Sequence, residues 1–88
     1  MNVSYKKRFL KDLNKIPARI KPKIQEVVFE QIPLIKNINE IDGIKKIQGF
    51  PGYYRLRISD YRIGMLVEKN KIVICRVLHR KDIYRYFP

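Results

Sequence analysis

The sequence predicts an α+β fold: an N-terminal helical hairpin packed on a four-stranded, mostly antiparallel sheet, with a short C-terminal helix or tail. Three observations lead there. Apolar residues before residue 36 recur at helical spacing, and after Gly43 the pattern changes to strand-like alternation. Two-residue polar breaks then separate the last three strand-like runs, as in hairpins. With 88 residues, the chain is expected to form one domain, residues 1–88.

Residues 2–4 make a short start with the character of an edge strand, and Ser4 is a candidate helix cap. Tyr5, Phe9, Leu13 and Ile16 then follow helical spacing, with Lys6, Lys7, Lys11 and Lys15 elsewhere on the wheel. Pro17 punctuates. A second helix is expected to begin between Pro17 and Pro22, because proline is tolerated in a first turn. Its apolar stripe is Ile20, Ile24, Val27, Val28 and Ile35, and Pro33 should kink or end it. Residues 37–43 read as loop. A short strand is expected at 44–47, and Gly49-Phe50-Pro51-Gly52 is a turn. Three longer strands should cover 53–58, 61–68 and 72–78, joined at Ser59-Asp60 and Lys69-Asn70. The polar stretch 79–86 is the terminal helix or tail.

Charge is the main functional signal. Twenty Lys and Arg oppose eight Asp and Glu, a net charge of +12. That excess is well beyond the magnitude of about 2–8 that suits a small domain, and it points to polyanions: nucleic acid, an acidic protein or an anionic membrane surface. The distribution is uneven. Residues 1–42 hold nine basic and five acidic residues, net +4, and residues 43–88 hold eleven and three, net +8.

Other classes lose support. No apolar run approaches the roughly 18 residues of a membrane helix, and Lys6-Lys7-Arg8 precedes no apolar segment of a secretory signal. A cytoplasmic protein is expected. Cys75 alone forms no internal disulfide, and with His79 as the one histidine no Cys/His zinc set exists. No metal or cofactor is expected. Walker and Rossmann glycine loops are absent, and Ser4 and Ser59 give little support to a serine triad.

Register sharpens the charge. A two-residue loop at Ser59-Asp60 pairs Ile58 with Tyr61, Arg57 with Arg62 and Arg55 with Gly64. Arg55, Arg57 and Arg62 then share one face, and Leu56, Ile58, Tyr61 and Ile63 share the face toward the helices. Like charges opposite one another in a sheet are destabilising, so an anion is expected at Arg57 and Arg62. Gly64 beside Arg55 would leave space for it. A plain solvated arginine face is the competing reading. Extending the register through Lys69-Asn70 pairs Arg62 with Val77 and puts His79 beside the arginines. The same register turns Arg76 into the core, which a bulge would relieve while moving His79.

These groups suit RNA cleavage in which a 2′-hydroxyl attacks the adjacent phosphorus and the 5′-oxygen leaves. Clustered arginines can stabilise the added negative charge, and His79 or a tyrosine can move protons. Phe50, Tyr53, Tyr84, Tyr86 and Phe87 lie near basic residues and can stack on splayed bases.

The run Tyr53-Tyr54-Arg55-Leu56-Arg57-Ile58-Ser59-Asp60-Tyr61-Arg62-Ile63 resembles the central hairpin of the RelE/ParE superfamily of bacterial toxins. Val77-Leu78-His79-Arg80-Lys81-Asp82-Ile83-Tyr84 resembles that superfamily's C-terminal segment. The resemblance implies a RelE-like fold and the toxin of a type II toxin–antitoxin module. RelE-like members are metal-independent endoribonucleases that cut messenger RNA in the ribosomal 30S decoding site and so inhibit translation. ParE-like members poison DNA gyrase. By resemblance, Arg62 and Arg80 would contact the scissile phosphate. Arg55 or Arg57 would help activate the 2′-hydroxyl or offset developing charge, and Tyr84 would stack on, or exchange a proton near, the cleaved nucleotide. Arginine is a poor proton acceptor, so His79 is the better titrating candidate. Lys45, Lys46, Tyr53, Lys81 and Arg85 would add RNA or ribosome contacts. The implied partners are the ribosome with its message and a cognate antitoxin whose acidic segment wraps the protein. Gyrase inhibition and RNA binding without catalysis remain the alternatives.

Overall fold

Strand pairing organises the molecule, and a computed structural model describes residues 1–88. The elements in chain order are strand β1 (Asn2–Tyr5), helix α1 (Lys7–Asn14) and helix α2 (Lys21–Gln25). The second helix continues through a wider π-type stretch, Glu26–Gln31, and a tight 3-10 turn, Ile32–Leu34. After a 3-10 turn at Ile38–Glu40 come β2 (Ile44–Lys46), β3 (Tyr53–Ile58), β4 (Tyr61–Glu68), β5 (Lys71–His79) and helix α3 (Ile83–Tyr86).

The sheet has five strands, not four, in the order β1-β5-β4-β3-β2. The extra strand is β1, which runs parallel to β5 with Val3 opposite Ile72 and Tyr5 opposite Ile74. Its alternation sends Val3 and Tyr5 against the helix-side core. Tyr5 therefore belongs to a strand, and Ser4 sits within that strand instead of capping α1. The helix starts from Lys6 without a side-chain cap.

The helical hairpin is present as expected. Phe9, Leu13, Ile24, Val27, Val28 and Ile32 bury against Leu56, Ile58, Ile63, Met65, Ile72, Ile74 and Val77. Proline at the second position of α2 fits, because the first-turn N–H groups have no intrahelical partner. Ile35 lies just past the helical stretch, in extended backbone, and still packs on the core. Within the wider stretch the Tyr5 hydroxyl donates to the Val28 carbonyl at 2.6 Å, a contact between β1 and the second helix.

Both hairpin loops have the expected two residues. Each places its first residue in the left-handed region, Ser59 at φ 55° and Lys69 at φ 28°. That geometry suits tight hairpins, although neither position is glycine. The β3–β4 register is the expected one throughout, from Ile58 opposite Tyr61 to Tyr53 opposite Leu66.

The β4–β5 register begins as expected and then shifts. Met65 pairs with Ile74 but Gly64 pairs with Arg76, so Cys75 is a bulge residue. Beyond it Arg62 faces Leu78, not Val77, and His79 faces Tyr61. The bulge takes Arg76 out of the core, and it also moves His79 to the helix side of the sheet.

A smaller cluster forms on the other face. Cys75, Ile83 and Phe87 bury there with Tyr53, Leu66 and Leu78 around them. The C-terminal segment is thus a helix that seals part of the face carrying the arginines.

Candidate functional site

Alternation along β3 and β4 lifts Arg55, Arg57 and Arg62 onto the face opposite the helical hairpin. Pairing of β2 with β3 places Lys45 opposite Arg55 on that face. Helix α3 contributes Tyr84 from the side. Together with Gly43 and Ile44, these five side chains line one open cleft of about 520 Å³. No carboxylate lines it, so it is a cationic recess with one aromatic wall.

Each cation is held differently. The Arg55 guanidinium lies 4.5 Å from the Tyr84 ring centre, a stacking contact that orients both groups. Arg62 Nη1 donates to the carbonyls of Ser59 and Tyr61 at 3.0 Å each, which ties it to the hairpin loop. Arg57 stands directly opposite Arg62 and is exposed. Its backbone N–H donates to Gly43 at 3.1 Å. Gly43 has a φ of +84°, and a Cβ there would lie 3.2 Å from the Arg57 carbonyl oxygen. Glycine therefore permits β2 to start close against β3. Tyr84 is 72 % exposed, so a face of its ring remains open to a base.

The other candidates fall elsewhere. His79 faces Tyr61, their ring centres 5.5 Å apart. Its Nδ1 accepts the Lys81 backbone N–H at 3.1 Å, so this nitrogen is occupied by a local turn. Sequence alternation had placed His79 beside the arginines, and the bulge at Cys75 is the reason it is not there. The backbone of Arg80 is anchored through a 2.8 Å bond to the Asp60 carbonyl, and its side chain lies outside the cleft lining. Lys81 and Arg85 are exposed around α3. Lys46 pairs with Tyr54 and so alternates to the helix side. Tyr53 is engaged in packing, its ring 5.6 Å from Phe87 and edge-on to it.

Gly64 does not leave room for an anion. A Cβ added to it would come within 2.5 Å of the Phe87 ring, because that ring lies directly on the glycine. The glycine is a seat for the C-terminal segment. Alternation alone could not reveal this, since Phe87 is far away along the chain and its position depends on the tertiary fold.

Nothing in the sequence pattern marks Asp12 as the partner of Arg76. Asp12 is the one buried charged residue, and its carboxylate accepts Arg76 Nε at 2.7 Å and Nη2 at 3.1 Å. It also accepts the Val77 backbone N–H at 3.2 Å. Cys75 is buried, and that burial pushes its thiol pKa up, with Lys6 acting in the opposite direction. No group of three or more His, Cys, Asp or Glu side chains is arranged to hold a metal ion. No helix is long and apolar enough to cross a membrane.

Residues 3–84 match the family model described as the ParE toxin of the type II toxin–antitoxin system, parDE. Toxin RelE3 of Methanocaldococcus jannaschii is 43 % identical over 89 residues, covering all of both chains. The chain belongs to the RelE/ParE family of type II toxins. This toxin is of the RelE type, because its full-length match to a RelE toxin is accompanied by structural likeness. The RelB–RelE antitoxin–toxin complex of Methanococcus jannaschii contains a chain with 43 % identity and a TM-score of 0.77, with 97 % of this chain and 99 % of that one covered. The isolated E. coli RelE toxin shares the fold at 16 % identity, with a TM-score of 0.66 and 98 % of each chain covered. The match to the family model includes every cleft residue through Tyr84 and stops short of Phe87, the residue that seats the toxin's C-terminal segment.

Proposed function

We propose that this toxin is an endoribonuclease that cuts messenger RNA on the ribosome and thereby stops translation, with residues 1–88 acting as one unit. The observation that carries the reading is the convergence of Arg55, Arg57, Arg62, Lys45 and Tyr84 on one cleft without a carboxylate. A phosphodiester in the cleft would meet guanidinium groups suited to bidentate phosphate contacts. In the reaction a bond forms between the 2′-oxygen and phosphorus while the bond to the 5′-oxygen breaks. One proton leaves the 2′-hydroxyl and one reaches the 5′-oxygen. The arginines stabilise the added charge on the phosphoryl oxygens. Tyr84 and Lys45 are the titratable groups that line the cleft, and Tyr84 also offers a stacking surface. Arg80, Lys81 and Arg85 extend basic charge toward flanking RNA. Solved relatives contain RelB antitoxins, which supports an antitoxin partner whose acidic segment covers the cationic face.

The test is primer extension on a defined message bound to ribosomes, with purified toxin. Cleavage within codons is expected. Arg62→Ala should slow it about 10²-fold, the size of effect seen when one group stabilising transition-state charge is lost. Combined with Tyr84→Ala it should abolish cleavage. Growth arrest with an intact message would overturn the proposal.

The ParE family match supports a second reading, inhibition of DNA gyrase. A supercoiling assay separates the two: gyrase inhibition that survives the Arg62 and Tyr84 substitutions would favour this alternative.

A further inference from the structure

The bulge in β5 distinguishes two registers of that strand against β4. Without it, Arg62 would face Val77, Arg76 would enter the core, and His79 would stand beside the arginines. With it, Gly64 faces Arg76, Arg62 faces Leu78 and His79 faces Tyr61. A one-residue slip of this kind moves every later side chain to the opposite face. Something must select between the two.

Asp12 sits at the point of choice. Strand β1 covers the edge of β5 as far as Ile74, opposite Tyr5, and the next residue of β5 is the bulge. Where β1 ends, the Asp12 carboxylate supplies acceptors for the Val77 N–H and for both Nε and Nη2 of Arg76. It thereby takes the place of the missing strand partner. In the bulged register the Val77 N–H and both Arg76 donors converge on this one carboxylate. Buried ion pairs contribute little net stability compared with apolar packing, and their best attested use is the choice of register.

The consequences reach the cleft. The bulge brings Leu78 onto the face where Cys75, Ile83 and Phe87 of the C-terminal segment pack, and it leaves the Arg76 guanidinium 5.9 Å from the Tyr86 ring centre. That segment carries Tyr84 to its place against Arg55. We propose that Asp12 is a positioning residue that locks the bulged register of β5, keeping His79 out of the arginine cleft and Tyr84 within it. This proposal rests on the functional reading of the cleft for its kinetic consequence, but the register can be measured independently.

Two variants of the full chain test it. Asp12→Asn removes the charge, and Asp12→Leu combined with Arg76→Met replaces the pair with apolar groups. Cross-strand nuclear Overhauser contacts between Tyr61 and His79 and between Arg62 and Leu78 report the register. Both variants should show a second set of resonances over residues 75–79. The double variant should unfold in urea at or above the wild-type midpoint, yet its kcat for message cleavage should remain about 10²-fold down, the cost of a small misplacement. KM for message-loaded ribosomes should hold, because the cleft charges remain. A single register in both variants would overturn the proposal, as would recovery of kcat in the double variant or a mixed register with wild-type kcat. Wild-type protein that cleaves no message would overturn the functional reading, and the register measurement would still decide the role of Asp12.

Discussion

At the scale of single residues, Arg57 and Arg62 face one another and repel. The fold limits the cost by tying Arg62 to two loop carbonyls and leaving Arg57 in solvent. This pairing was legible in the sequence because a two-residue loop and strict alternation determine it. Tyr5 was not legible, since its spacing from Phe9 and Leu13 fits a helix as well as a strand. In the structure its hydroxyl bonds to Val28, and burial pushes its pKa up from 10.0. The folded state therefore holds this proton more tightly than the unfolded chain does. The resulting stability is fully present below the unfolded value and is lost as pH rises through the raised folded value. Tyr5→Phe should cost about 1 kcal/mol at neutral pH and flatten the loss of stability in alkali. Urea unfolding at neutral pH and above pH 10 would check this; identical pH profiles for the two proteins would exclude a Tyr5 contribution.

At the scale of elements, α3 is a single turn that cannot be stable alone. Its position comes from Ile83 and Phe87 packed on the sheet, with Phe87 seated on Gly64. Gly64→Ala should therefore unseat the C-terminal segment and destabilise the fold by about 1–3 kcal/mol, as overpacking does. The loss should extend to cleavage, because Tyr84 rides on the same turn. Urea unfolding and primer extension together would test this, and unchanged values in both would refute it. The strands of the meander were legible from alternation and polar breaks. The extra strand β1 was weakly marked, because a parallel edge strand has no hairpin turn to announce it.

At the scale of the whole molecule, a net charge of +12 favours expansion through self-repulsion. Salt should relieve it. The melting temperature should rise as KCl is raised from about 20 to about 200 mM, through shorter screening lengths, while RNA binding should weaken over the same range. A falling melting temperature in calorimetry would show that attractive pairs dominate, contrary to expectation from a chain with a single ion pair, Asp12–Arg76.

By itself the sequence determined the α+β class, the helical hairpin, the meander and the shared face of Arg55, Arg57 and Arg62. These depend on short-range periodicity, turn length and side-chain alternation, all local in the chain. Only the tertiary structure decided that β1 joins the sheet, that β5 bulges at Cys75, that His79 leaves the cleft and that Phe87 fills the space over Gly64. Each of these depends on contacts between distant segments, and the Asp12–Arg76 pair joins residues 64 positions apart. Alternation can propose a face for every side chain, but one bulge reverses all those after it. The choice between the two registers is made by a carboxylate from another element.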